Sequence, residues 1–295
     1  MGRALAEAFP VAAETFAEAD EALGFALSRV FLEGPEDELR LTENTQPAIL
    51  TVSVAAYRVL TAHGVNAWLA AGHSLGEWSA HVAAGTLGFA DAVRAVKARG
   101  RAMQLAVPAG EGAMAAVLAL DAATIAAICT EVAAETGQVV SAANFNSPDQ
   151  TVISGSKAAV ERAGEVLKAR GARRVVPLPV SAPFHCALMA PAQQEVQRVL
   201  DGITLLEPGF PVAANVTGAL LMTASDAKRA LIDQVTGTVQ WVSCVASLLE
   251  LGAEVLVEVG PGKVLSGLMR QMDREQKCLN VEDPASLEKT LAELG

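Results

Sequence analysis

Apolar residues recur at helical spacing through the first third of the chain, then gather into short continuous runs that alternate with helical stretches to the end. The opening segment MGRALAEAFPVAAETFAEADEAL is broken at Pro10. Proline is favoured at the first position of a helix, so a second helix is expected to start there. TQPAILTVSVAAYRVLTAHG predicts a long buried helix from near Pro47 to Gly64. VNAWLAAG then predicts a short buried strand. Helices are expected from Gly76 to Ala84 and from Ala90 to about Leu105. The second carries Asp91 near its start, where a negative charge meets the positive end of the helix dipole.

The middle of the chain has a different rhythm. GAMAAVLAL (112–120) predicts a strand, and Asp121 is placed to cap a helix to about Glu135. QVVSAANF (138–145) and TVISG (151–155) predict two more strands, and Ser156 is placed to cap a helix to Gly171. ARRVVPLPV (172–180) predicts a fourth strand. The order β-α-β-β-α-β is that of a split, ferredoxin-like unit, so residues 110–183 read as an insert in a parent domain built from 1–109 and 184–295. After the insert, α/β alternation resumes with PVAANV (211–216) and EVLVEVG (254–260) as strands and helices around 224–235, 241–251 and after Gly262. The parent domain is expected to close a mostly parallel sheet covered by helices.

With 295 residues, 52% of them apolar and 19% charged, the chain can bury a large core as one domain or one domain with an insertion. No apolar run approaches the ~20 residues of a membrane span, and no start signal with a basic region and apolar core is visible. Cys129, Cys186, Cys244 and Cys278 lack Cys-x-x-Cys spacing, which argues against a metal site and a disulfide framework. The cytoplasm is the expected compartment. A net charge of −11 argues against general nucleic-acid binding, which needs clustered Lys and Arg.

Gly72-His73-Ser74-Leu75-Gly76 matches G-x-S-x-G between a predicted strand and a predicted helix, the context of a nucleophile elbow. Small residues on either side of Ser74 let strand and helix approach, so that a strained turn projects the hydroxyl into a cleft. The N–H of Leu75 then points toward the same space, where an oxyanion is stabilised. The alternative is an ordinary tight turn with an exposed serine. A serine needs a base to take its proton. His63, His73 and His81 suit packing or surface roles, whereas His185 lies in a Pro-containing loop where the insert returns to the parent domain. It is the candidate base or else a solvent-facing histidine. Asp201, Asp226, Asp233 and Glu258 follow His185 or sit on expected solvated faces, and Asp91 and Asp121, which fall between Ser74 and His185, read as helix caps, so no acidic residue plainly completes a Ser-acid-His set. Arg99, on the helix after the elbow, would hold a carboxylate bidentately if it reaches the cleft; otherwise it is a surface arginine beside Lys97 and Arg101.

GHSLGEWSA, Arg99 in VKARGRAM, NFNSPDQTVISG, PLPVSAPFHCALM, VQWVSCV and EVGPGKVLSGLM, in this order, resemble the malonyl-coenzyme A:acyl carrier protein transacylases of bacterial fatty acid synthesis over essentially the whole chain. The resemblance implies an α/β-hydrolase-like domain with a ferredoxin-like insert, and a ping-pong transfer of malonyl from coenzyme A to the phosphopantetheine thiol of an acyl carrier protein. It implies Ser74 as nucleophile, His185 as general base, Arg99 on the malonyl carboxylate and the Leu75 N–H as an oxyanion donor. It places the backbone carbonyl that orients the histidine near the pair Gln240-Trp241, and makes Phe184 a bulky neighbour that disfavours 2-methyl branches. No cofactor is implied beyond the thioester substrate, and neither nucleic acid nor membrane is an expected partner. A serine thioesterase or a catalytically impaired carrier-protein-binding module are the alternatives. The family's first strand and Gly-Gln-Gly-Ser loop are not matched; the expectations are a start assigned too late or residues not represented in this sequence, or else a true truncation with weakened oxyanion stabilisation. Lys168, Arg170, Arg173 and Arg174 form the densest basic cluster, which either docks an acidic carrier protein or is a solvated face.

Overall fold

The computed structural model describes residues 1–180 and 182–295. Helices α1 (Arg3–Ala8), α2 (Pro10–Leu23), α3 (Leu27–Glu33), α4 (Glu36–Arg40) and α5 (Thr42–Ala62) come first, and Pro10 stands at the start of α2 as expected. The long helix α5 begins five residues before Pro47. The Leu41 carbonyl accepts the N–H groups of Asn44 and Thr45, while the Asn44 and Thr45 side chains tie down the carbonyls of Glu38 and Leu39. With its first turn held this way, the helix tolerates the one bond that Pro47 cannot make. Helices α6 (Leu75–Ala83) and α7 (Phe89–Leu105) follow and pack with α5 around Leu50, Val54, Trp78, Val93 and Val96, all buried.

Strand β1 (Gly112–Leu118), α8 (Ala122–Thr136), β2 (Val140–Ser147), β3 (Gln150–Ser156), α9 (Lys157–Ala169) and β4 (Arg174–Pro177) form a four-stranded antiparallel sheet of order β2-β3-β1-β4. Its helices bury Ile125, Ile128, Val160 and Leu167 against Val117 and Ile153. Asp121 caps α8 by accepting the Thr124 N–H at 2.8 Å. Ser156 precedes α9 but makes no side-chain cap; it is the last residue of β3 and gives its N–H to the Val139 carbonyl. Strand β4 is shorter than expected, since Pro177 and Pro179 have no N–H to continue the ladder.

Beyond this sheet come α10 (Ala190–Asp201), β5 (Val212–Ala213), β6 (Leu220–Leu221), α11 (Ala224–Asp233), α12 (Trp241–Glu250), β7 (Val255–Val259), α13 (Val264–Met272), β8 (Lys277–Val281) and α14 (Pro284–Leu294). The chain is a mixed α/β protein. Among the described residues, parallel ladders are limited to β7–β8, with single parallel bridges at Ala70–Val212 and Asn144–Val239. The strand expected at VNAWLAAG is thus reduced to the bridge at Ala70, which donates to Pro211 and accepts from Ala213. The segment reaching the elbow is nonetheless fixed in direction by that pair of bonds. A second stitch joins β2 to the loop before α12: the Phe145 N–H donates to Val239 O, the Val239 N–H donates to Ala143 O, and Thr238 Oγ1 donates to Ala142 O. No described helix is long and apolar enough to cross a membrane.

Candidate active site

Ser74 directly precedes α6 with φ 51° and ψ −103°, a backbone conformation rare for a residue with a side chain. What holds it is packing of the turn on itself. A Cβ on Gly72 would lie 2.0 Å from the backbone carbon and oxygen of Gly76, so only glycine lets the incoming chain cross the first turn of α6. Gly76 differs from the sequence expectation: a Cβ there meets nothing within 4 Å, and it is the Gly76 backbone, not its lack of a side chain, that Gly72 accommodates. Buried Asn215, just after β5, clamps the turn from outside. Its Oδ1 accepts the Ser74 N–H at 2.6 Å and its Nδ2 donates to the Gly72 carbonyl at 2.8 Å.

The Ser74 hydroxyl meets two of the predicted partners. Its Oγ lies 2.8 Å from His185 Nε2 and receives a hydrogen bond from Arg99 Nη2 at 3.0 Å. His185 is 4% exposed and sits at φ 58°, so it is not a solvent-facing loop residue. Its Nδ1 faces the Gln234 carbonyl oxygen at 2.7 Å; a carbonyl can only accept, so Nδ1 carries the proton and Nε2 presents a lone pair to Ser74. Burial, and then the Arg99 charge, push the imidazole down to about 3, which keeps it neutral with its Nε2 lone pair toward the Ser74 hydroxyl.

The orienting carbonyl corrects the expectation placed near Gln240-Trp241. It belongs to Gln234, at the end of α11, while Gln240 touches the site only through its backbone N–H, donated to Asn215 O at 2.7 Å. Trp241 packs beside the ring of His73. His73 itself points away from Ser74, as expected, and its Nε2 pairs with Asn146 Oδ1 of β2 at 2.8 Å. Phe184 is half-buried and packs both on Met114, Ala143 and Val152 of the sheet and on the α5–α7 core. Leu75 is the first residue of α6, where backbone N–H groups have no acceptor within the helix.

Arg99 is 1% exposed, and among the described residues no carboxylate forms an ion pair with it. Its Nη1 donates to Gln46 Oε1 and its Nη2 to Gln234 Oε1 at 2.7 Å. Two neutral amides therefore aim the guanidinium without neutralising it, and burial lowers it to about 10, still fully charged near neutrality. Gln46 and Gln234 were not singled out in the sequence. The signal available was a glutamine at the head of the apolar run of α5, a polar side chain with nowhere to go but inward.

Among the described residues there is no group of His, Cys, Asp or Glu arranged to hold a metal, and all four cysteines are unpaired thiols. A half-buried serine with a carbonyl-oriented neutral histidine and a buried arginine free of ion pairs among the described residues is suited to acyl transfer from a substrate that bears a carboxylate.

Comparison with known proteins agrees with this geometry. The profile of the acyl transferase domain family matches residues 1–287. The malonyl CoA-acyl carrier protein transacylase of Escherichia coli K12 is 49% identical over 288 residues, 97% of this chain and 93% of that protein. The solved transacylase from Coxiella burnetii superposes with a TM-score of 0.96 at 40% identity, covering 100% of this chain and 93% of the other. A malonyl-transacylase solved in complex with its type II polyketide acyl carrier protein superposes with a TM-score of 0.95 at 47% identity over 99% and 94% of the two chains. The chain belongs to the acyl transferase domain family and, within it, to the malonyl CoA-acyl carrier protein transacylases.

Proposed function

We propose that the chain transfers a malonyl group from malonyl-coenzyme A to the phosphopantetheine thiol of an acyl carrier protein through an ester on Ser74. The observation that carries this reading is Arg99, a buried cation held by neutral amides 3.0 Å from the serine oxygen. A carboxylate two bonds from the thioester carbonyl carbon satisfies that charge when the carbonyl carbon is within reach of Ser74 Oγ. An acetyl group leaves it unpaired, and a missing partner for a buried charge is costly.

In the first half-reaction His185 Nε2 takes the Ser74 proton as Oγ bonds to the thioester carbon. The Leu75 N–H at the positive end of α6 faces the developing oxyanion; loss of one such donor typically costs about 10²–10³ in rate. The carbon–sulfur bond then breaks and the imidazolium returns its proton to the departing coenzyme A thiolate. In the second half, the carrier's thiol gives its proton to His185, attacks the ester and releases Ser74, which takes the proton back. No acidic triad member is needed, because the Gln234 carbonyl selects the tautomer. Phe184 beside His185 narrows the space for a 2-methyl branch. The unit β1-α8-β2-β3-α9-β4 is read as a ferredoxin-like insert, residues 110–183, in an α/β-hydrolase-like domain made by 1–109 and 184–295. Four unpaired cysteines suit the cytoplasm.

The test is the mass of the protein mixed with malonyl-coenzyme A in the presence of acetyl-coenzyme A. A malonyl adduct on the Ser74 peptide, discharged by holo carrier protein, is the expected result. No adduct on folded protein overturns the reading, and release of free malonate while carrier protein is plentiful would make the chain a thioesterase.

A further inference from the structure

Glu77 is the one acidic side chain at the elbow, and it is fully buried. It stands three residues after Ser74, the spacing of a capping box, yet neither side chain caps α6. The Ser74 N–H that such a glutamate would take goes to Asn215 Oδ1 instead, and Glu77 turns inward. Its Oε2 accepts from Gln234 Nε2 at 2.6 Å and from the Asn215 backbone N–H at 3.1 Å.

We propose that Glu77 is a positioning residue whose carboxylate locks the Gln234 amide, so that Gln234 serves His185, Arg99 and the Ser74 backbone together. An ionised carboxylate only accepts, so it can face only the NH₂ end of the amide. That choice leaves Gln234 Oε1 toward Arg99 and sends the second amide hydrogen to the Ser74 carbonyl at 3.1 Å. The Gln234 backbone carbonyl, in the same residue, holds His185. One carboxylate thereby fixes the base, the cation and the nucleophile's backbone through a single glutamine. Both bonds end on Oε2 and Oε1 has no partner among the described residues, so a proton taken up on Oε1 leaves Oε2 a weaker acceptor, and the lock is tightest in the ionised form. Burial raises the Glu77 carboxyl to about 7, opposed by the bonds from Gln234 and Asn215 and by the Arg99 charge. The charged or titratable groups near it from other elements are Arg99 on α7 and the Cys244 thiol on α12, which stays protonated because burial pushes it up to about 12. His185 remains neutral above about 3. In the window around pH 7, Glu77 is therefore the group that titrates.

This inference rests on the acyl-transfer reading, so wild-type acylation of Ser74 is the control: if it fails, that reading fails and the role of Glu77 is not what has been measured. The experiment follows single-turnover acylation by malonyl-coenzyme A and, separately, acetyl-coenzyme A, per acylatable Ser74, from pH 5.5 to 8.5, in wild type and Glu77→Gln. Expected are a wild-type rate that falls as pH drops through about 7, and in Glu77→Gln a rate at pH 8 lower by about tenfold or more for both acyl groups, with the limb near 7 gone. Both acyl groups respond because both need His185. A rate per site in Glu77→Gln equal to wild type, with loss only in the fraction of protein that folds, overturns the proposal and leaves Glu77 a packing residue. Should the variant not fold, a flat wild-type profile over the same range overturns it as well, and a limb near 7 supports it.

Discussion

Arg99, on α7, and Ser74, in the turn before α6, share a hydrogen bond of 3.0 Å, and the arginine forms no ion pair among the described residues, feeling the Glu77 charge only across Gln234. The resting site thus holds a charge in reserve beside the nucleophile.

Arg99→Ala removes that charge. Two charge-assisted hydrogen bonds to a malonyl carboxylate, at about 1.5–3 kcal/mol each, amount to a loss of about 100-fold or more in malonyl transfer. Acetyl-coenzyme A, which does not use them, should gain relative to malonyl. The ratio of the two kcat/KM values is the measurement, and an unchanged ratio would separate Arg99 from substrate choice. Arg99→Lys should not restore it, since a point charge cannot bridge Gln46, Gln234 and a carboxylate together.

The two glycines of the elbow should behave in opposite ways. Gly72→Ala places a Cβ 2.0 Å from the Gly76 backbone, a clash with main chain that no rotamer relieves. The turn must open, so Ser74 acylation should collapse and the melting temperature drop. Gly76→Ala meets open space inside a helix, where alanine is better than glycine by up to about 1 kcal/mol. Its melting temperature should rise slightly. Thermal melts of the two variants side by side decide the matter.

This contrast shows where the sequence was legible. Ser74, Arg99 and His185 are side chains whose chemistry announces itself, and the structure brings all three together. Gln234 was missed in favour of Gln240 because its contribution to His185 is a backbone carbonyl, an atom every residue carries. Glu77 and Asn215 are buried polar groups whose side chains find partners distant in sequence, and the Gln46 oxygen likewise meets Arg99 53 positions on, so spacing alone does not reveal them. The antiparallel four-stranded sheet was readable because each strand is bounded by a cap or turn of its own. The segment before the elbow was not, because a strand exists only with neighbours, and Ala70 has a single bridge.

Stability should depend on pH through buried histidines. Neither ring nitrogen of His81, fully buried on α6, has a partner among the described residues, and burial lowers it to about 4. Between there and about 6.5 the unfolded chain binds a proton that the native state does not, so stability rises with pH by up to about 1.4 kcal/mol per unit. His185 adds a contribution of the same sign from about 3 upward. Glu77, raised from 4.5 to about 7, opposes them over that interval, since there the native state holds the extra proton. His81→Leu removes one histidine contribution and an unpaired polar ring, and should be neutral or stabilising at pH 5. Urea midpoints of wild type and variant from pH 4.5 to 7 test this; parallel curves would show that His81 is not the titrating group.

Lys168, Arg170, Arg173 and Arg174 are all exposed, and the one ion pair they form among the described residues, Arg170–Glu131, spans 3.9 Å between side chains that are both about 60% exposed. Such a pair holds little energy, so the cluster keeps its positive field on a chain whose net charge is −11. An acidic carrier protein approaching this face would be steered by that field before any contact forms. Reversing Lys168, Arg173 and Arg174 to glutamate together leaves the Ser74 site untouched. The expected result is an unchanged rate of malonyl loading from coenzyme A, with kcat/KM for the carrier protein lowered on the order of tenfold at low salt and less at 0.15 M, where charges more than about 8 Å apart are screened. Equal transfer kinetics at both salt concentrations would reduce the cluster to a solvated face.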